Sequence, residues 1–351
     1  MADGGPEKIL AINLQGLGNL LLAVPALKAL KAGSGRAPDI VVRGGSAAEF
    51  LLATGLAERV MVFGGRGQEL LKLARECRSQ KYDAALTVFP GGRAAHLLAA
   101  ACGAKHSVGH ETPGRMGRFA WMLKERIDPG LDKHDVQRNL RLASAVLGSE
   151  AKFVPCRQVD IPAGAVGRVE EYFRAYGLKD ADGWIGMHPG SDPRFADKRW
   201  PEKSFAELAD MIGEQLGLGS IILDGPADGG SGRRIARMSS AEVHALEGRL
   251  DVLDTAALML RCKAVVSNDS GLMHLACVMG LPVVAVFGPS DPVRAAPFSA
   301  VGSSVISQME CAPCHDLQGN AVCPHGKPVC LESIDAGEVF RALSAVLAGR
   351  N

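Results

Sequence analysis

The residues best placed to do chemistry lie in the run Val265-Val266-Ser267-Asn268-Asp269-Ser270-Gly271-Leu272-Met273-His274-Leu275-Ala276. Its apolar start reads as a buried strand, its Asn-Asp-Ser-Gly centre as a polar turn, and the rest as an amphipathic helix running to Gly280. A second apolar run, Pro282 to Phe287, follows and ends in Gly288-Pro289. Strand, polar turn, helix and strand make a βαβ unit, and such units bind ligands at the carboxyl ends of their strands. Asp269 can accept bonds from hydroxyl groups, and the amides opening the helix at Ser270, Gly271 and Leu272 attract anions. The pattern suits a ligand that is both polyhydroxylated and negatively charged. Taken alone, the same Asp-Ser-Gly would serve as a plain helix cap.

A second chemical pattern, Gln15-Gly16-Leu17-Gly18-Asn19, opens the first helix of the chain. It has two glycines of a dinucleotide fingerprint but lacks the third, because Leu21 and Ala23 occupy its region. The second strand also ends in Val42-Arg43, where an NAD site usually has an acid. A dehydrogenase reading is therefore rejected. What remains is a tight turn that lets backbone approach a ligand near a helix start.

The elements that must position these residues alternate along the chain. Strands are expected at Lys8 to Asn13, Ile40 to Val42, Val60 to Phe63 and Ala84 to Phe89. Helical patterns start at Asn19 and cover Gln68 to Gln80, Ala94 to Ala101 and Asp135 to Leu147. After a proline-bearing stretch from Phe153 to Pro162, the alternation restarts with strands at Trp184 to His188, Ser220 to Asp224 and His244 to Leu246. Ile334 to Leu347 reads as a closing helix. This is an α/β pattern with mostly parallel sheets, and 351 residues suit two domains. We place them at 1–160 and 161–333, with 334–351 as the closing helix.

Composition narrows the classes. A hydrophobic content of 47% with 22% charged residues fits a globular protein, and a net charge of +1 argues against a nucleic-acid partner. Met1 to Glu7 is too polar and acidic for a signal peptide. Leu20 to Leu30 is too short to span a bilayer and is broken by Pro25 and Lys28. A cytoplasmic location is the expectation.

Val266 to Pro292, with its D-S-G-L-x-H-L-A core and F-G-P-S-D-P end, resembles the nucleotide-sugar half of the lipopolysaccharide heptosyltransferases, glycosyltransferase family 9. Gln15 to Asn19 with the following helix is similar to that family's N-terminal glycine loop. Met187-His188-Pro189-Gly190-Ser191, then Lys198-Arg199-Trp200-Pro201, is similar to its phosphate-binding segment. The motifs occur in the family's order over nearly the whole chain. The resemblance implies a GT-B architecture, two doubly wound Rossmann-like domains facing a central cleft. The N-terminal domain would hold the acceptor and the C-terminal domain the nucleotide sugar, closing to exclude water. It implies inverting transfer of a sugar, heptose from ADP-heptose, to a lipopolysaccharide-core or related glycan hydroxyl, with no cofactor or metal required. Lipid-linked acceptors would bring peripheral contact with the inner membrane face.

The resemblance also assigns roles. Asp269 would hold donor hydroxyls. Ser191, Lys198 and the amides of Ser270, Gly271 and Leu272 would neutralise the leaving diphosphate. His274 would lie near the donor and Asp228 on the ribose, while Gly18, Arg115 and Arg118 would meet an anionic acceptor. Without the family, Lys198-Arg199 and the basic run through Arg115 and Arg118 would read as solvated charges. Asn19 departs from the pattern, since the family's general base, an aspartate, stands at this position. An amide accepts no proton at neutral pH. Either His110 or Glu111 supplies the base, or catalysis rests on positioning and leaving-group stabilisation, or the chain is a non-catalytic nucleotide-sugar-binding protein.

Cys77, Cys102, Cys156, Cys262 and Cys277 are scattered in apolar settings and read as small buried residues. Cys311, Cys314, Cys323 and Cys330 cluster within twenty residues, together with His315 and His325. They can serve as thiolate ligands for zinc or an iron–sulfur centre, as reduced structural thiols, or as a labile disulfide.

Overall fold

A computed structural model describes residues 5–114, 116–130, 132–179, 183–315 and 323–349. The chain divides into two units between Val154 and Pro155. The division falls inside the proline-bearing stretch, a few residues before the boundary expected at 160.

The first unit has strands β1 (Ile9–Asn13), β2 (Asp39–Val42), β3 (Val60–Val62), β4 (Ala84–Thr87), β5 (His106–His110) and β6 (Glu125–Ile127). They form one sheet in the order β3-β2-β1-β4-β5-β6, and every pair is parallel. Its helices are α1 (Leu17–Ser34), α2 (Gly45–Ala53), α3 (Gly67–Ser79), α4 (Arg93–Ala101) and α5 (Asp135–Leu147). The central strands β1, β2 and β4 are buried at every residue, as a sheet covered on both faces requires. Pro25 sits inside α1, yet the helix runs on because Leu20 to Leu27 is buried almost throughout. Tertiary packing overrides the local break. Gly33 lets α1 approach α5, since a Cβ there would lie 2.6 Å from the Leu147 side chain.

The second unit repeats the plan. It comprises α6 (Ala163–Tyr176), β7 (Trp184–His188), α7 (Glu202–Leu216), β8 (Gly219–Ile222), α8 (Ser231–Met238), β9 (Val243–Ala245) and α9 (Val252–Met259). Then come β10 (Cys262–Asn268), α10 (Gly271–Val278), β11 (Val283–Phe287), α11 (Pro292–Ala295), β12 (Gly302–Ile306), α12 (Val329–Glu332) and α13 (Ala336–Ala348). The sheet order is β12-β11-β10-β7-β8-β9, again all parallel. Counted within each unit, both sheets have the doubly wound order 3-2-1-4-5-6.

The closing helix is not a separate segment. Val339, Phe340, Leu343 and Val346 of α13 are buried in one core with Ile185, Val266 and Val284 of the sheet, which makes α13 a layer of the second unit. Three strands escaped the sequence reading: β5, β6 and β12. All lie at or next to a sheet edge, where short runs such as His-Ser-Val-Gly-His carry no clear apolar period. The first helix starts at Leu17, two residues before the expected Asn19.

Candidate functional site

In a doubly wound sheet the crevice for ligands opens where the strand order reverses. In the second unit that point lies between β7 and β10, which pair directly. The loop Pro189-Gly190-Ser191 leaves β7, and Asp269-Ser270 leaves β10. Asn268, fully buried at the end of β10, ties them together. Its Nδ2 donates to Pro189 O at 2.7 Å and Gly190 O at 3.3 Å, and its Oδ1 accepts from Trp200 N at 3.0 Å. One amide thus fixes the β7 loop, the β10 turn and the Lys-Arg-Trp-Pro segment.

Lys198 arrives on the 3-10 turn Pro193–Lys198, and its Nζ lies 2.6 Å from Asp269 Oδ2. Both side chains are largely buried, at 17% and 7% exposure, so the pair is shielded from solvent. Burial pushes the Asp269 carboxyl up. The charges of Lys198 and His274, with hydrogen bonds from Lys198 and Ser290, outweigh that and hold it below the ordinary carboxylate value. Asp269 is therefore an anion, paired with Lys198 at the crevice.

Ser270 is the N-cap of α10: its Oγ accepts from Met273 N at 3.3 Å and lies 3.0 Å from Ser267 Oγ. The cap occupies the hydroxyl and leaves the first-turn amides of Gly271 and Leu272, which have no partner within a helix, at the crevice. His274, one turn on, is buried within electrostatic reach of Asp269. Arg199 braces the neighbouring loop. Its Nε donates to Ser191 Oγ at 3.1 Å, and its Nη2 donates to Ser191 O at 3.0 Å and Asp228 Oδ1 at 3.4 Å. Asp228 Oδ2 accepts from Gly225 N at 2.7 Å, so both its oxygens face protein partners in this structure. Gly190 is needed there because a Cβ would lie 2.2 Å from Asp228 Oδ1.

The first unit reverses its strand order between β1 and β4. Gly18 and Asn19 lie in the first turn of α1, and the Gly16 N-cap has no side-chain cap. Gln15 Nε2 donates to Gly91 O at 2.9 Å, which joins this turn to the loop after β4. Asn19 is half-buried. His110 ends β5 and Glu111 follows it, and the two differ sharply. His110 is buried, with Nδ1 3.2 Å from Ile127 O and Nε2 3.0 Å from Arg138 O; burial pushes its pKa down to about 4 against the pull of those carbonyls. Glu111 points outward and lines a pocket of about 650 Å³ with Thr112, Gly114, Gly117, Arg118, Phe119, Ala120, Trp121 and Arg126. Arg126 lies 3.5 Å from the Glu111 carboxylate, and the Arg118 guanidinium stands 5.5 Å over the Phe119 ring. Arg115 lies outside the described residues.

The profile of glycosyltransferase family 9 (heptosyltransferase) matches residues 70–323. The chain belongs to this family. Lipopolysaccharide heptosyltransferase 2 of Escherichia coli K12 is 28% identical over 252 residues, 66% of this chain and 67% of that protein. The heptosyltransferase 2 of Salmonella typhimurium is 36% identical over 119 residues, about a third of either chain at 33% and 34%. Among solved structures, a family 9 glycosyltransferase from Veillonella parvula has a TM-score of 0.78 at 21% identity, covering 98% of this chain and 97% of that one. E. coli ADP-heptose lipopolysaccharide heptosyltransferase II has a TM-score of 0.76 at 23% identity, over 98% and 99%. These likenesses show the two-domain α/β fold that the glycosyltransferase resemblance implied.

Within this family 9 chain, the structure brings Ser191, Lys198, Asp228, Asp269, Ser270, Gly271 and His274 to one end of the second sheet. Asn268 was not singled out from the sequence, and Arg199 was weighed there only beside Lys198, as a solvated charge or a cation for the diphosphate. Asn268 sits in the motif itself, and a buried amide at a strand end is a signal that could have drawn attention to it.

The described start of the cysteine segment meets the loop after β11 and the turn that carries Lys198. Cys314 N and His315 N both donate to Pro289 O at 2.9 Å, and His315 Nε2 lies 2.8 Å from Asp197 Oδ2, next to Lys198. Cys311, Cys314, Cys323 and Cys330 are free thiols. Burial, then the neighbouring thiols, push Cys314 and Cys330 above the ordinary thiol value, so both stay protonated. Among the described residues, no three His, Cys, Asp or Glu side chains are arranged to hold a metal ion.

Proposed function

We propose that this chain transfers heptose from ADP-heptose to a hydroxyl of a lipopolysaccharide-core or related glycan, inverting the anomeric centre. The observation that carries this reading is the buried Lys198–Asp269 pair, held by Asn268 at the β7/β10 reversal beside the amides opening α10. Asp269 accepts hydroxyls of the donor sugar. As the acceptor oxygen forms its bond to the anomeric carbon, the bond to the diphosphate breaks and its electron pair leaves on a phosphate oxygen. Lys198 and the α10 amides meet that growing charge, a task for which a fixed cation and a helix start suffice without a metal. The reaction runs on the cytoplasmic side, where a lipid-linked acceptor would bring the enzyme to the membrane surface. Among the described residues, no helix is long and apolar enough to cross a membrane.

The test is calorimetric titration with ADP, UDP, GDP and ADP-heptose on the unmodified protein, Asp269→Ala and Lys198→Ala. Binding of ADP-heptose that both substitutions weaken, with ADP binding weakened by Lys198→Ala, supports the reading, and no binding by any of the four ligands overturns it. The amide at Asn19 favours a second reading, a nucleotide-sugar-binding protein without turnover. That reading requires donor binding with no sugar transfer to any acceptor.

A further inference from the structure

Given the transferase reading, in which Lys198 meets the diphosphate, we infer that His315 is a positioning residue: through Asp197 it fixes the turn that carries Lys198.

The turn Pro193–Lys198 has little of its own to hold it. None of its residues is buried, and its backbone leaves helical geometry at Phe195. Ser191 Oγ donates to Phe195 O at 2.8 Å, a bond made within the same loop, and the Trp200 N anchor on Asn268 lies beyond Lys198. A lysine ammonium sits on a flexible stem, so its position depends on how firmly the backbone beneath it is held. His315 supplies a hold from a distant part of the chain, 118 residues from Asp197. Its Nε2 donates to Asp197 Oδ2 at 2.8 Å, and its ring lies 6.3 Å from the Phe195 ring. Lys198 Nζ stands 5.2 Å from the centroid of that same Phe195 ring. One imidazole thus meets both the residue before Lys198 and the ring beside its ammonium.

His315 is itself a fixed point. Its side chain is 3% exposed, against 44% for Asp197. Cys314 N and His315 N both donate to Pro289 O at 2.9 Å, which ties the histidine to the loop after β11. β11 pairs with β10, so that loop and Asp269 leave the same end of the sheet. The histidine therefore sets the Lys198 turn relative to the strand ends. Stability alone would favour an apolar side chain here, because Nδ1 is buried without a hydrogen-bond partner. What the imidazole adds is direction, one N–H aimed at Asp197. When Lys198 turns from Asp269 to a phosphate, this contact keeps the turn in place.

The test is calorimetric titration of the full chain with ADP. His315→Ala and Asp197→Ala break the contact from either side, and each is expected to weaken ADP by about tenfold. Loss of the Asp197 anion beside the site would by charge alone strengthen ADP, so a weakening reports the lost contact. His315→Gln and Asp197→Asn keep an N–H facing an oxygen and should stay within about threefold of the unmodified chain. The double variant His315→Ala with Asp197→Ala should bind about as well as either single one, because the two residues act as a unit. Asp197→Ala within about twofold of the unmodified chain overturns the inference, as do conservative variants as weak as the alanine ones. Asp197 is half-exposed, so its variants decide the matter where a truncated His315 fails to fold. ADP weakened by Lys198→Ala but not by Asp197→Ala leaves the transferase reading standing and removes the role of His315. If the unmodified chain binds neither ADP nor ADP-heptose, that reading fails and the role falls with it.

Discussion

The two units share one strand order yet treat their reversal points in opposite ways. In the second unit, Asn268 binds the loop backbone, Arg199 joins Ser191 to Asp228, and Lys198 pairs with Asp269, so these side chains are held close to the strand ends. In the first unit the neighbouring surface is open, with Glu111, Arg118, Trp121 and Arg126 lining a pocket and few bonds holding their side chains. The contrast fits two kinds of ligand. A diphosphate has a constant geometry and rewards fixed charges, because they need no reorganisation as charge develops. An open wall of guanidinium and aromatic groups, by contrast, suits a ligand whose shape varies.

Lys198→Ala should break the contrast most severely. Losing the cation should lower turnover by about 100- to 1,000-fold and leave Asp269 buried without its partner, a change read from steady-state rates with ADP-heptose. Asn268→Leu comes next. It leaves Trp200 N, Pro189 O and Gly190 O without their partner, at a cost of about 3 kcal/mol in chemical denaturation, although Asn268 touches no donor atom in the proposal.

A smaller effect separates the units by pH. His110 is neutral when folded, with its pKa at about 4, and returns to about 6.5 on unfolding. The unfolded chain therefore binds the extra proton first. The stability tied to a neutral His110 is complete above pH about 6.5 and falls as the pH drops toward 4, by roughly 3 kcal/mol. His110→Gln should flatten that acid limb in denaturant titrations at several pH values. Asp269, with its carboxyl held low, contributes stability that is complete above the ordinary carboxylate value and is lost only at more acidic pH. Trp121→Ala should have the smallest effect, with thermal stability nearly unchanged in a melting experiment, because the ring is mostly in solvent.

Legibility in the sequence followed the same divide. The second unit's site could be read because its residues are bound to the strand-turn-helix pattern that displays them: Asp269, Ser270 and Gly271 follow an unmistakable buried strand. Lys198 was readable from the family pattern, but its partner was not, since 71 residues separate it from Asp269. In the first unit the sequence named His110 and Glu111 as equals. Only the direction of each side chain distinguishes them, and alternation along a two-sided buried strand gives no clue to which end residue turns outward. The pocket around Trp121 was unreadable because it is made by a loop and a short 3-10 turn without periodicity.

The Trp200 indole carries a consequence for the order in which the molecule is made. Its Nε1 donates to Ile334 O at 3.0 Å, across 134 residues of chain. The segment bearing Lys198 therefore gains its last anchor only when the polypeptide up to Ile334 has been synthesised and has come back to meet it. The first unit can complete its sheet long before that, since its own contacts close by residue 154. During synthesis, the site assigned to the sugar nucleotide is thus the last part of the protein to mature.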